Sequence, residues 1–295
     1  MPLPKKVMGP LYASVAIAAL MVSTTLLAIP IFTMGLFKLY PNLQWQIFCT
    51  KIVDKLVIAW TSFNKLYLDL FHPVRWDITG IENLDPNTWH LVVANHQSWL
   101  DIVVLQTIFT HKIPVLKFFI KDSLKWVPLL GFAWWAMGCP FMKRYSKAYI
   151  EKHPEKKGKD LQSTQKALES FQKTPASIMS FVEGTRFTQK KKAQQHSPYQ
   201  HLLKPKSGGV SFVIGAMDKQ ITELLDVTIV YPHAQHSLWD FLCHRVDSIK
   251  VQVRHLPIPK PFLQPSLLED EKLHAEFRLW LNQQWLEKDQ LMAGL

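Results

Sequence analysis

From Leu11 to Leu36 the chain carries no charged side chain, and that run most narrows what it can fold into. About 20 predominantly apolar residues in helical form cross a bilayer core, so the run is long enough to be a membrane helix. A buried helix in a soluble core is the alternative, and the lack of any charge over such a length counts against it. A secretory leader would share the basic start at Lys5 and Lys6, but its apolar core is roughly 7–15 residues and ends in small residues suited to cleavage. Here the run passes into Pro30, Ile31 and Phe32, so an uncleaved N-terminal membrane helix is expected. It either spans or pairs with Ile47–Phe63 as a hairpin in one leaflet, and Lys51, Asp54 and Lys55 within that second stretch leave the topology open.

A length of 295 residues leaves room for one large domain behind this anchor. With 48% hydrophobic and 19% charged residues the chain is too apolar for a disordered protein. Its 34 Lys plus Arg against 23 Asp plus Glu give a net charge of +11, which favours an anionic partner: phosphate, nucleic acid or an anionic membrane. Nucleic acid is disfavoured, because the tryptophans sit mostly in apolar runs and the lysines are not interleaved with aromatics. Cys49, Cys139 and Cys243 are odd in number and widely spaced, which indicates neither a disulfide framework nor a zinc site. They point to a reducing compartment and, with the basic remainder of the chain, to a main domain in the cytoplasm.

After the anchor, short apolar runs alternate with helical stretches, as in an α/β domain. The expected fold class is α/β, a mixed central sheet flanked by helices, with an N-terminal membrane-associated helix or helical hairpin. Expected strands are Val74–Ile78, His90–Ala94, Val115–Ile120, Ile178–Val182, Val227–Tyr231 and Ile249–Val253. Expected helices are Ser98–Thr110, Asp160–Lys173 and a last one from about Leu268, whose Leu273, Phe277, Trp280, Leu281 and Trp285 form an amphipathic stripe. Ser146–Asp160 and Gln189–Lys206 read as basic polar loops. The division is residues 1–70 as helical anchor and 71–295 as one α/β domain.

The strand His90–Ala94 runs into Asn95, His96, Gln97, Ser98, Trp99, Leu100 and Asp101, just past a strand end where open α/β sheets place ligands. On one regular helix His96 and Asp101 would differ by about 140° in azimuth, so a break between them is needed for cooperation. Ser98 supplies it: Ser98-x-x-Asp101 has capping-box spacing, which turns the Asp101 carboxylate back toward the entering chain. Asp101 then either orients His96 as a general base or only caps the helix. The second candidate is Glu183-Gly184-Thr185-Arg186 after the run Ile178–Val182, with a flexible glycine, a hydroxyl and a guanidinium that suit an anion. Alone it also fits an ordinary turn. With no GxSxG elbow and no HExxH, a serine nucleophile and a metal are not indicated. His196, His201, His233 and His236 read as surface residues.

Together, Asn95-His96-x-x-x-x-Asp101 and the later Phe181-Val182-Glu183-Gly184-Thr185-Arg186 resemble the glycerolipid acyltransferases, most closely the 1-acyl-sn-glycerol-3-phosphate (lysophosphatidic acid) acyltransferases of the bacterial membrane-anchored branch. Lys121 to Gly131 resembles the family's Lys-x-x-Leu…Pro-x-x-Gly segment, Cys139 to Arg144 its block ending in a substrate-binding arginine, and Lys206-Ser207-Gly208 its Lys-x-Gly. The arginine block departs in opening with Cys139-Pro140, and Pro232 follows its strand and receives no role. The resemblance implies that His96 and Asp101 are catalytic. Arg144, Glu183, Gly184, Thr185 and Arg186 would hold the glycerol phosphate, with Glu183 positioning the arginines. Lys121 and Lys206 would add to the phosphate or pantetheine site. It further implies a lysophospholipid acceptor, an acyl-CoA or acyl carrier protein thioester as cosubstrate with no other cofactor or metal, membrane phospholipids as surroundings, and no nucleic-acid partner. Another acceptor, such as a lysophosphatidylglycerol, would use the same chemistry.

Overall fold

The structure, a computed structural model, describes residues 5–142, 171–217, 219–232 and 237–295. Its helices are α1 (Lys5–Phe37), α2 (Leu43–Phe71), α3 (Leu100–Phe109), α4 (Leu130–Ala136), α5 (Gln189–Gln194), α6 (Ser207–Ala216), α7 (Leu238–Leu242) and α8 (Glu271–Gly294). Its strands are β1 (Arg75–Thr79), β2 (His90–Ala94), β3 (Leu116–Phe118), β4 (Ile120–Lys121), β5 (Phe141–Met142), β6 (Ser177–Phe181), β7 (Glu223–Val230) and β8 (Ser248–Pro257).

A six-stranded sheet in the order β1-β8-β7-β2-β6-β3 carries the fold, and β4 pairs with β5 separately. Only β8 against β7 is antiparallel, so the sheet is mixed. Its centre, β2, is buried along its whole length, as a strand covered on both faces must be. Alternate side chains enter two cores. Val92 and Ala94 pack with α3, α7 and the start of α1, while Leu91 and Val93 pack with α6 and α8. Because β6 and β7 both run parallel to β2, their carboxyl ends reach one edge of the sheet, and the chain leaving all three builds the site.

The expected strand Val115–Ile120 is broken into β3 and β4, which join different sheets. Lys117, in the middle of β3, has a buried ammonium held by Asp54 of α2 at 3.1 Å and by the Met137 carbonyl at 2.9 Å, which pins the edge strand to the hairpin. The segment 189–206 is not all loop, since α5 starts on a Thr188 cap whose hydroxyl accepts from the Lys191 amide. The helix expected over Asp160–Lys173, the loop Ser146–Asp160, and His233 and His236 lie outside the described residues, except for 171–173 at the end of the first.

The apolar run folds as α1, and the second stretch extends beyond expectation to α2. Ser14, Thr25 and Thr33 donate to carbonyls four residues back, which satisfies their hydroxyls within an apolar helix. At the turn, the Asn42 side chain caps α2 by accepting from the Trp45 amide, and the Trp45 indole donates to the Phe37 carbonyl. Midway, Ser23 donates to Asn64 across the buried seam between the helices. A helix of this length measures about 50 Å, yet both of its ends touch the α/β body. Gly9 abuts Cys243, and a Cβ on Gly35 would stand 2.6 Å from the Ala136 Cβ. The hairpin therefore lies along the domain, and its outer side exposes Leu11, Val15, Met21, Val22, Leu26 and Ile29.

At the α7 end the docking surface is aromatic: Tyr12 stacks on His244 at 4.7 Å, and His72 meets both His244 and Phe241. Burial, reinforced by His244, pulls the His72 imidazole from 6.5 down to about 4. The unfolded chain therefore takes up a proton that the folded one resists, and stability drops as pH falls from 6.5 toward 4. Replacing His72 by Phe is expected to remove that slope, a difference of roughly 2–3 kcal/mol between pH 7 and 4, read from chemical denaturation in detergent at each pH.

Candidate active site

Beyond β2 the chain turns sharply before α3, and three elements fix the turn. Asn95 exchanges two hydrogen bonds with the backbone of Ile229 on β7, at 2.8 and 2.9 Å, and Gln97 donates to the same Ile229 carbonyl. The Phe187 amide donates to the His96 carbonyl at 2.7 Å, tying in the segment that follows β6. The Ser98 hydroxyl accepts from the Leu100 amide, and the Asp101 carboxylate folds back on the entering chain, which is the break that cooperation between His96 and Asp101 demands.

Asp101 is completely buried. Its Oδ2 accepts from His96 Nδ1 at 2.8 Å and from the amides of Gln97 and Ser98 at 2.6 and 2.9 Å. Its Oδ1 accepts from the Tyr231 hydroxyl at 2.7 Å. One carboxylate thus closes the turn that enters α3 and orients the imidazole, although α3 itself, with Trp99 at its N-cap, has no side-chain cap. The ring is also held flat against Phe181 at 3.9 Å between centroids. With Nδ1 committed to Asp101, Nε2 keeps its lone pair, and His96 lines a cavity of about 500 Å³. That imidazole can take a proton from a hydroxyl brought to the cavity mouth.

The cavity runs between the hairpin and the sheet, walled by residues such as Val57, Leu68, Val103, Phe109, Phe118 and Trp134. Such a lining suits a hydrocarbon chain. Lys121 also lines it, and β4 pairing sets Lys121 opposite Met142 of β5, shortly before Arg144. Arg144 itself lies outside the described residues. Gly131 starts α4 where a Cβ would sit 2.1 Å from the Lys125 carbonyl oxygen, so the Pro-x-x-Gly segment needs that glycine to close.

The segment after β6 approaches His96 from the other side. Gly184 adopts φ +70°, a left-handed conformation that suits glycine. Thr185 accepts from the Lys191 ammonium at 2.7 Å, and that ammonium also reaches the Arg186 carbonyl at 3.0 Å. Arg186 is exposed, with its guanidinium 5.6 Å from the Trp99 ring centre. Lys206 donates its amide to the Val182 carbonyl at 2.8 Å and precedes α6.

Glu183 binds the backbone on both of its oxygens. Its buried carboxylate accepts from the backbone amide of His96 at 2.8 Å and from that of Leu203 at 2.9 Å. Burial pushes it from 4.5 up to about 7, against the opposing pull of those two amides and of Lys288. Tyr231, Phe181, Lys191 and the amide-binding role of Glu183 were not foreseen. Tyr231 lies far from Asp101 in sequence, and only the pairing of β7 with β2 places it there.

Residues 75–234 match the family model described as Acyltransferase. Among curated relatives, the 1-acyl-sn-glycerol-3-phosphate acyltransferase epsilon of Mus musculus is 25% identical over 267 residues, covering 82% of this chain and 67% of that protein. The 1-acyl-sn-glycerol-3-phosphate acyltransferase of Saccharomyces cerevisiae is 31% identical over 143 residues, 48% of this chain and 43% of that protein. The 2-acyl-1-lysophosphatidylinositol acyltransferase of the same yeast is 24% identical, covering 68% of this chain and 60% of that protein. The chain thus spans between 43% and 67% of the length of these relatives. Among solved structures, the 1-acyl-sn-glycerophosphate (LPA) acyltransferase PlsC from Thermotoga maritima is similar with a TM-score of 0.44 at 14% identity, covering 91% of this chain and 97% of that one.

The Tyr231 hydroxyl is the donor to a fully buried carboxylate oxygen, so Tyr231→Phe is expected to destabilise the protein by about 1–3 kcal/mol. Urea unfolding checks this, and an unchanged midpoint would show that the bond contributes nothing.

Proposed function

This chain belongs to the acyltransferase family, and from that membership we propose that it moves a fatty acyl group from an acyl thioester to the sn-2 hydroxyl of lysophosphatidic acid, giving phosphatidic acid. The observation that carries the reading is the His96 Nδ1 to Asp101 Oδ2 hydrogen bond of 2.8 Å at an apolar cavity wide enough for an acyl chain. The donor is a thioester of coenzyme A or acyl carrier protein, consumed as a cosubstrate.

His96 Nε2 removes the proton as the acceptor oxygen attacks the thioester carbonyl. The tetrahedral intermediate then expels the thiolate, which takes that proton back and leaves as the thiol. Asp101 holds the tautomer and stabilises the imidazolium between the two steps. The acceptor's phosphate falls to Arg186 and Thr185, with Gly184 shaping the turn, Lys121 and Lys206 at its flanks, and Arg144 as the further cation. Glu183 also fixes the His96 backbone.

Membrane phospholipids supply and receive the lipid, and the hairpin's exposed apolar side supports association with one leaflet, lying in the interface. Trp126, exposed at 80%, and Phe132 and Trp135 continue that apolar side beside α4. A catalytic domain facing the cytoplasm at the inner membrane fits the three unpaired, buried cysteines. The similarity to an enzyme named for a lysophosphatidylinositol keeps another lysophospholipid as the second acceptor reading.

Thiol release from an acyl thioester by detergent-solubilised protein is expected to require lysophosphatidic acid and to fall about 10²–10⁴-fold in His96→Ala, in a variant that still folds. Exclusive use of lysophosphatidylglycerol or lysophosphatidylinositol would replace the acceptor, and release by His96→Ala at the parent rate would remove His96 as the base.

A further inference from the structure

Helix α5 closely follows the turn Gly184–Arg186, and the Thr188 hydroxyl that caps it accepts from the Lys191 amide at 3.2 Å. That bond holds the Lys191 backbone beside the turn, and the side chain reaches back over it. The ammonium donates to Thr185 Oγ1 at 2.7 Å and to the Arg186 carbonyl at 3.0 Å. Its two neighbours in the run of lysines go elsewhere. Lys192 donates to the Gln200 carbonyl at 3.0 Å, and Lys190 is exposed.

The turn stands at the mouth of the apolar cavity. The Phe187 amide is bonded to the His96 carbonyl at 2.7 Å, and the Arg186 guanidinium lies 5.6 Å from the ring centre of Trp99, which lines the cavity together with His96. Donors at this corner exceed what the fold uses. An ammonium has three N–H groups, and Lys191 places two of them on the turn. Thr185 Oγ1 is taken as an acceptor, which leaves the hydroxyl's own hydrogen to be donated, and among the described residues nothing receives it. The charge is in excess as well. Among the described residues neither Lys191 nor Arg186 pairs with a carboxylate, and the nearby Glu183 has both oxygens on backbone amides. Two neighbouring cations with spare donors and no counter-ion attract an anion.

We propose that Lys191 is an acceptor-binding residue that sets specificity: its ammonium and the Thr185 hydroxyl it orients hold the acceptor's phosphate, and its charge selects a phosphate monoester over a phosphodiester. A monoester carries about −1.5 to −2 charges at pH 7 and three strong acceptor oxygens. A diester has a lower charge and one terminal oxygen fewer, so the donor and the charge that Lys191 adds are matched only by the monoester. The inference rests on the Thr185–Arg186 turn being the phosphate site for acyl transfer.

The test compares KM and kcat of the parent, Lys191→Met, Lys191→Arg and the exposed control Lys190→Met. Lysophosphatidic acid and lysophosphatidylglycerol with the same acyl chain serve as the two acceptors. In Lys191→Met the KM for lysophosphatidic acid is expected to rise about tenfold, the size of one charge-assisted hydrogen bond. The KM for lysophosphatidylglycerol rises less than about threefold, while kcat and the KM for the thioester stay within about twofold, since screening limits the longer-range effect of a half-exposed charge. Lys191→Arg keeps the preference for the monoester, and Lys190→Met leaves it untouched. Equal losses with both acceptors, the same effect in Lys190→Met, or no change overturns the proposal, as does a parent that prefers the diester. In parallel, calorimetric titration of each lysolipid into the same detergent-solubilised proteins, with no thioester present, reads acceptor binding without turnover. A Kd for lysophosphatidic acid that does not move in Lys191→Met overturns the proposal as well. If the parent transfers no acyl group, the reading of function fails, and the calorimetry decides alone whether Lys191 binds the monoester. Lys191→Gln serves for both measurements if Lys191→Met does not fold.

Discussion

Everything at the candidate site depends on where the Asp101 carboxylate is held. Four donors meet it, from His96, from the Gln97 and Ser98 amides, and from Tyr231. They come from the turn after β2 and from the end of β7, two segments that are distant in sequence. A carboxylate so completely surrounded has no rotational freedom left, so the imidazole it holds is fixed as well. The turn that enters α3 is closed by the same atom that orients the imidazole, so the turn and the site form together.

The histidine is fixed a second time through its backbone. Glu183 joins the His96 amide to the Leu203 amide, and its burial opposes its ionisation. The Leu203 end of that bridge is held in turn by the clamp that α8 places on residues 200–203. The C-terminal helix thus supports the segment that Glu183 binds. Side-chain orientation comes from Asp101, backbone position from Glu183, and the two carboxylates act on opposite sides of one residue.

The hairpin contributes the remaining condition. A wall of α2 residues closes the apolar cavity against α3 and β3, so the same helices that expose apolar side chains outward also line the space inward. Lys117 and Asp54 fasten that wall to the sheet edge, while Gly9 and Gly35 let α1 approach at both ends. An acceptor that resides in a bilayer would reach His96 without crossing open water.

Local sequence signals gave much of this outline. A charge-free run specifies an apolar helix wherever it is placed, β2 reads as a buried strand because it is an apolar run, and Ser98-x-x-Asp101 is a short-range pattern that marks the turn before α3. The stripe through Phe277, Leu281 and Trp285 was equally legible, and its continuation at the same spacing leads to Lys288 and Asp289. Their charge hid the continuation, since burial of a charge is decided by partners and not by period. Tertiary packing alone brings Tyr231 to Asp101, Leu203 to Glu183 and Asp226 to Lys288, because these pairs join segments remote in sequence and no local propensity encodes such a distance. The split of Val115–Ile120 into β3 and β4 has the same origin: a mostly apolar run reads as one strand, and only the pairing of β3 with β6 and of β4 with β5 puts its two ends in different sheets.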